Sequence, residues 1–172
     1  MSRFILPLLA LIFFISESMY SNLFAGAFFG NDRILVPRFL MIFISFVTIY
    51  ASRKWGIYYG LVLGIAFDVV YTEVLGIYTF LFPVLAFLVS KTMKMMHANL
   101  LIAALVSLFF VGVLEVAVYE INLLIHVADM NFTEFALNRL VPTLLLNLIF
   151  ILIVSLPLRM VIEKFSTSRD ID

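Results

Sequence analysis

Residues 140–158 read LVPTLLLNLIFILIVSLPL, a run of 19 residues without a charged side chain. Because a helix rises about 1.5 Å per residue, this run is close to the length that crosses a hydrocarbon core of about 30 Å. The whole chain of 172 residues is 65% hydrophobic and 13% charged, whereas soluble domains are about 45–50% apolar and about 25% charged. This composition predicts an all-α integral membrane protein and excludes a soluble enzyme, a nucleic-acid-binding protein and a disordered chain.

Four of the other five uncharged runs reach the length of a span only when a charged residue is taken into the membrane, and the fifth, at 74–90, is slightly short. Glu17, Arg38, Asp68 and Glu115 are these residues. The pattern predicts one domain of six transmembrane helices, at about 4–24, 34–52, 55–71, 74–91, 98–119 and 139–160. Lys and Arg, 11 in total, lie mostly in the segments that face inward if the N-terminus is inside. The positive-inside rule therefore predicts that both termini are cytoplasmic.

Polar residues of five predicted spans fall at one level. Counted from the inner end of each span, they lie about 17–22 Å into the membrane. A buried charge is costly and is usually retained with a partner or a function. We therefore expect a buried polar layer, which either fixes the packing of the helices or binds a solute or a proton. Its residues are Glu17, Arg38, Asp68, Glu115, Thr143 and Asn147.

The charges within this layer do not determine which of its carboxylates are protonated. Its acids outnumber its bases, so at least one of the carboxylates of Glu17, Asp68 and Glu115 would be protonated or would reach water. Arg38 is available to one or two of them. Arg139, nearer the outer surface, would either extend to the membrane surface or pair with Glu115 or Glu120.

A stripe of glycines precedes Asp68 on the third span. Gly56, Gly60 and Gly64 are spaced by four residues and therefore lie near one face of the helix. Small residues at this spacing let another helix approach closely. The stripe favours a tight contact within the bundle, with a homodimer as the alternative.

A longer string continues from this stripe. GLVLGIAFD at 60–68 and VVYTEVLG at 69–76 give the pattern G-x3-G-x3-D-x6-L-G at a helix hairpin. This pattern resembles the rod shape-determining protein MreD family. The first span ending in Glu17 and Ser18, LVPRF at 35–39 and RLVPT at 139–143 also agree. Length and number of spans are similar over essentially the whole chain.

The resemblance implies a non-enzymatic, multi-pass scaffold of the bacterial cytoplasmic membrane that maintains elongated cell shape, with no cofactor and no bound metal. The implied partners are an MreC-like single-span protein, an MreB-like actin homologue, a peptidoglycan polymerase and a class B penicillin-binding transpeptidase. The family fold is similar to that of the substrate-binding subunits of energy-coupling-factor transporters. That similarity supplies an alternative function, a membrane transport subunit that binds a small solute.

Two further surfaces are candidates for contacts. Segment 120–138 alternates apolar and polar residues and either lies as an interfacial helix on the outer face or forms a plain loop. Its apolar residues Ile121, Leu124 and Ile125 are the candidate contact with an extracytoplasmic partner. The predicted inner loops at 53–54 and 91–94 are basic chiefly because loops on the cytoplasmic side of a membrane protein carry an excess of Lys and Arg. Contact of these loops with a cytoskeletal filament or with anionic lipid is a secondary possibility.

Overall fold

The computed structural model describes residues 4–24, 34–72, 74–96, 99–127 and 129–169. These residues are almost entirely helical, as the composition predicts, and contain no strand. In chain order the helices are α1 (Ile5–Phe24), α2 (Phe39–Tyr50), α3 (Arg53–Tyr71), α4 (Ile77–Met95), α5 (Leu100–Leu124), the short α6 (Phe132–Phe135) and α7 (Val141–Arg169). A π-helical turn, Ala136–Leu140, joins α6 to α7.

Several helix boundaries differ from those predicted; α4 occupies Ile77–Met95 instead of 74–91, for example, and α7 extends to Arg169 instead of 160. The second span is helical only from Phe39, because Pro37 has no N–H to donate and disfavours a helical conformation at the residue before it. α5 continues to Leu124, and the last helical stretch already begins at Phe132. The described part of 120–138 thus forms no separate interfacial helix. The predicted start of the fifth span, at residue 98, lies outside the described residues.

α2 is the central helix of the bundle. It packs against α1, α3, α4, α5 and α7, and its residues from Phe39 to Thr48 are all buried. Within a membrane, a helix that is apolar on every side can face either lipid or other helices. Its composition, FLMIFISFVTIY, therefore permits this central position, and its contacts with the five other helices define it.

The glycine stripe of α3 lies against the chain's own helices. A Cβ added at Gly56 would lie 1.9 Å from Thr48 Oγ1 on α2. One added at Gly64 would lie 2.5 Å from the carbonyl oxygen of Tyr78 on α4, and one at Gly60 would lie 3.0 Å from the nitrogen of Pro83. These contacts place α3 and α4 at backbone distance, so the stripe is filled within the bundle and offers no surface to a second copy.

The outside of the bundle is apolar. Large hydrophobic side chains are exposed along its helices, among them Leu101, Phe109, Leu152, Ile153 and Met160. By length and composition three helical stretches can cross a membrane, at Ile77–Met95, Leu100–Leu124 and Phe132–Ser166. Two shorter apolar helices, Ile5–Tyr20 and Phe39–Tyr50, accompany them. An apolar exterior of this kind is stable when lipid covers it, in agreement with the composition.

Candidate functional site

The centre of the polar layer is Glu115 of α5, which lies between two arginines. Its Oε1 accepts a hydrogen bond from Nε of Arg38, and its Oε2 accepts one from Nε of Arg139 at 3.0 Å. Glu115 is 0% exposed, Arg38 2% and Arg139 29%. Arg38 also donates from Nη1 to the hydroxyl of Tyr78 at 2.9 Å. The network therefore joins the start of α2, α4, α5 and the π-helical turn, and of the two predicted partners for Arg139 the structure selects Glu115.

The π-helical turn is a consequence of the sequence around Arg139. Pro142 has no N–H to donate to the carbonyl four residues earlier, that of Asn138. The Asn138 carbonyl accepts instead from the N–H of Ile34 at 2.8 Å. Single π-helical turns within α-helices are rare overall, but those that do occur are often found at functional sites. Here the turn carries Arg139, whose side chain reaches Glu115.

Segment 34–38, which precedes α2, has no regular secondary structure and is held by side chains of α7. Thr143 Oγ1 accepts from the N–H of Val36 at 3.1 Å. Asn147 Oδ1 accepts from the N–H of Arg38 at 2.9 Å, and its Nδ2 donates to the carbonyl of Val36 at 3.1 Å. Non-helical backbone within a membrane is tolerated only where protein groups satisfy its hydrogen bonds. Thr143 and Asn147, one helical turn apart on α7, supply these groups.

Glu17 of α1 lies at the beginning of α2. Its Oε2 accepts from the N–H of Leu40 at 2.9 Å, one of the first amides of that helix. A carboxylate at a helix N-terminus satisfies a free donor and interacts favourably with the helix dipole. This bond links Glu17 to the start of α2, next to Arg38, whose guanidinium donates to Glu115 and Tyr78.

Asp68 of α3 forms a second cluster at the N-terminus of α4. Its Oδ2 accepts from the N–H of Gly76 at 3.0 Å and from the N–H and hydroxyl of Thr79 at 2.8 and 2.7 Å. Its Oδ1 accepts from the N–H of Tyr78 at 3.0 Å. The hydroxyl of Thr72 also donates to Oδ1, at 3.3 Å, so five donors and a helix N-terminus stabilise its charge without an arginine among the described residues. The two clusters meet at Tyr78, because its N–H binds Asp68 and its hydroxyl binds Arg38.

Sequence reasoning missed the parts that Tyr78 and Thr79 play. The x6-L-G spacing after Asp68 did mark a hairpin, and a carboxylate at such a point is a candidate cap for the following helix.

The count of acidic and basic side chains in the polar layer also differs from the one expected, since Arg139 adds a second cation and the start of α4 compensates Asp68. Four ionisable side chains, two arginines and two glutamates, therefore remain around the start of α2.

A cavity of about 290 Å³ adjoins this layer. Its walls contain both arginines of the network together with Glu17 and Tyr78. The remaining lining residues are Ser18, Val36, Phe67, Tyr71 and Thr72. Guanidinium and hydroxyl donors of this kind can bind water or a small polar solute. Among the described residues, no group of three or more His, Cys, Asp or Glu side chains is arranged to hold a metal ion.

The three apolar residues predicted to contact a partner occupy different environments. Ile121 packs partly against the hydrophobic core, whereas Leu124 at the end of α5 is 75% exposed and the following Ile125 is 42% exposed. Leu124 and Ile125 are therefore available at the surface. Their contact with a partner stays a prediction.

Comparisons with known proteins identify the family. The family model described as rod shape-determining protein MreD matches residues 2–165. The chain is 38% identical over 160 residues to the rod shape-determining protein MreD of Bacillus subtilis (strain 168), covering 93% of each chain. It is 27% identical over 143 residues to the cell shape-determining protein MreD of Streptococcus pneumoniae (strain ATCC BAA-255 / R6), covering 83% of this chain and 87% of that one. No solved structure matches. The chain therefore belongs to the MreD family, membrane proteins that determine cell shape and are not enzymes.

Proposed function

We propose that this chain is a membrane scaffold of the bacterial elongation complex. It would link an MreC-like single-span protein and an MreB-like actin homologue to peptidoglycan synthesis by a polymerase and a class B penicillin-binding transpeptidase. The observation that carries this proposal is the match to the Bacillus subtilis protein over 93% of the chain, because such coverage extends to every helix of the bundle.

The buried network supports a scaffold because it ties separate helices together. Lipid tails are as apolar as the helix surfaces, so no hydrophobic force holds helices together within a membrane, and packing and hydrogen bonds do so instead. Glu115 joins α5 to segment 34–38 and to the π-helical turn, and Asp68 joins α3 to α4. A body connected in this way presents fixed surfaces to its partners.

We further propose an orientation with both termini in the cytoplasm and a fold related to the substrate-binding subunits of energy-coupling-factor transporters. In this orientation Leu124 and Ile125 face the outer side, where the folded part of a single-span partner would lie. The ends of α3 and α4 that carry Arg53 and Lys91 face the cytoplasm. Fusion of a reporter that is active only in the cytoplasm to either terminus tests this arrangement.

Complementation tests the function. The chain is expressed in Bacillus subtilis depleted of its own MreD relative, and cell shape is followed by microscopy. We expect rod shape to be restored. Cells that round up despite stable expression of the chain in the membrane would contradict the proposal.

Co-purification tests the outer contact. Replacement of Leu124 by Ser should lower the yield of the single-span partner that co-purifies with the chain. Replacement of Leu101 by Ser is the matched control, since Leu101 is similarly exposed at the opposite end of α5. Equal loss in both variants would show that Leu124 is not part of a specific contact.

The cavity beside the polar layer favours a second candidate, a transport subunit that binds a small solute. About 290 Å³ bounded by two arginines, a glutamate and a tyrosine is large enough for a small polar molecule. This candidate predicts saturable solute binding to the purified protein that is lost in Arg139→Gln. It also predicts that depleted cells stay rod-shaped and acquire a nutritional requirement, which the scaffold does not predict.

A further inference from the structure

Four cations lie together at one end of the α3–α4 hairpin. We call Arg53, Lys54, Lys91 and Lys94 the basic cluster. α3 begins with the first two, and the last turns of α4 carry the other two. Gly64 lies against Tyr78 and Thr79, and Gly60 lies against Phe82 and Pro83, so in this antiparallel register residue 53 lies opposite about residue 90.

The position of Arg53 agrees with this register. Its guanidinium carbon lies 4.4 Å from the centroid of the Phe87 ring on α4. Lys91 follows Phe87 by one helical turn, a separation at which side chains are neighbours. Arg53 and Lys91 therefore extend from two different helices toward the same place.

The charge of the basic cluster is not compensated within the described part of the chain. No side chain of the cluster forms an ion pair there, and the first turn of α3 contains no acidic residue. Arg53 and Lys54 lie at the N-terminus of α3, where the helix dipole disfavours cations, whereas Lys91 and Lys94 lie at the C-terminal end of α4, where it favours them. Arg159 of α7, by contrast, is paired with Glu163 at 2.8 Å. The basic cluster thus lacks the anion that its surroundings favour.

A groove of about 320 Å³ adjoins the cluster on α4. Its walls are Leu88, Lys91, Thr92, Met95 and Met96, so apolar side chains and an ammonium group line the same depression. Tyr58, which is exposed, and Trp55 lie near the start of α3, with their ring centroids 5.8 Å apart. Tyr and Trp are enriched where a membrane protein meets the lipid headgroups.

We propose that the basic cluster and this groove bind an anionic phospholipid. Arg53 and Lys91 would contact the headgroup phosphate, and an acyl chain would lie along Leu88. The positive-inside rule requires basic residues at the inner end but does not require them to converge beside an apolar groove. Basic pockets between transmembrane helices are known to bind anionic headgroups, and the charge of the cluster matches such a ligand.

Native mass spectrometry of the full chain in detergent tests the proposal. The protein is titrated with phosphatidylglycerol and, separately, with phosphatidylcholine of the same acyl chains. We expect phosphatidylglycerol to bind about 25-fold more tightly, since Arg53 and Lys91 near an anionic headgroup contribute roughly fivefold each. The double variant Arg53→Gln, Lys91→Gln should lose this preference. Both side chains are exposed, so the variant keeps its fold, which circular dichroism checks.

Arg159→Gln is the matched control, because its guanidinium is at the surface of the molecule but paired with Glu163. It should keep the preference for phosphatidylglycerol. Equal binding of the two lipids by the unmodified chain would overturn the proposal, as would an unchanged preference in the double variant. Displacement of the lipid by inorganic phosphate at constant ionic strength would show a site for free anions and would overturn it as well.

Discussion

Replacing Glu115 by Gln tests the energetic role of the arginine network. The change removes the carboxylate that binds both arginines but keeps the size of the side chain. Arg139 is 29% exposed and can turn toward water, whereas Arg38 is 2% exposed and cannot. Removing one partner of a buried ion pair costs about 3–5 kcal/mol, because the other charge stays buried without compensation. For a chain of this size that loss lowers the apparent Tm by on the order of 10 °C.

Thermal unfolding in detergent, followed by the fluorescence of Trp55, measures this effect. Arg159→Gln is the control, since it breaks an ion pair whose side chains are 38% and 43% exposed. An exposed pair contributes about 0–1 kcal/mol, so this control should shift the Tm by only a few degrees. If Glu115→Gln unfolds at the same temperature as Arg159→Gln, the buried network does not stabilise the bundle.

Three further predictions concern the helix contacts. Gly64→Ala should destabilise the chain by about 1–3 kcal/mol, since the added Cβ would lie 2.5 Å from the backbone of Tyr78. Gly112→Ala, whose Cβ would lie 3.6 Å from its nearest neighbour, should change stability by less than about 1 kcal/mol, and thermal unfolding compares the two. Asp68→Asn puts an amide NH₂ among backbone N–H donors, so it should cost about 1–2 kcal/mol and speed hydrogen exchange at the start of α4. Asn147→Leu should increase the susceptibility of segment 34–38 to added protease, because it removes the side chain that accepts from and donates to that segment.

The membrane class and the burial of the polar residues could be predicted from the sequence. A charged residue within an apolar run is conspicuous, and its burial cost implies a partner within the bundle. The glycine stripe likewise predicts a close helix contact, because spacing by four residues is a local property of one helix. These inferences depend on composition and on the period of a regular helix.

What escaped sequence reasoning depends on contacts between distant segments. The non-helical segment 34–38 is stabilised by Thr143 and Asn147, which lie more than 100 residues away along the chain. The hydrophobic periodicity of the sequence contains no information on such bonds. Sequence reasoning did not predict that Asp68 caps α4, because it is the hairpin that brings the first amides of that helix to the carboxylate. The π-helical turn at Arg139 depends on Pro142 and on the hydrogen bond that the Asn138 carbonyl accepts from the N–H of Ile34. No local sequence pattern predicts this bond.

We infer that charged residues from separate segments stabilise the bundle by direct contact within it. A double-mutant cycle on Arg38 and Glu115 tests it most directly, with Arg38→Met, Glu115→Gln and the double variant compared with the unmodified chain. Contacting residues show coupling free energies of about 0.5–3 kcal/mol, and we expect a value near the upper end, because both side chains are buried. A coupling free energy of zero within error would contradict the claim.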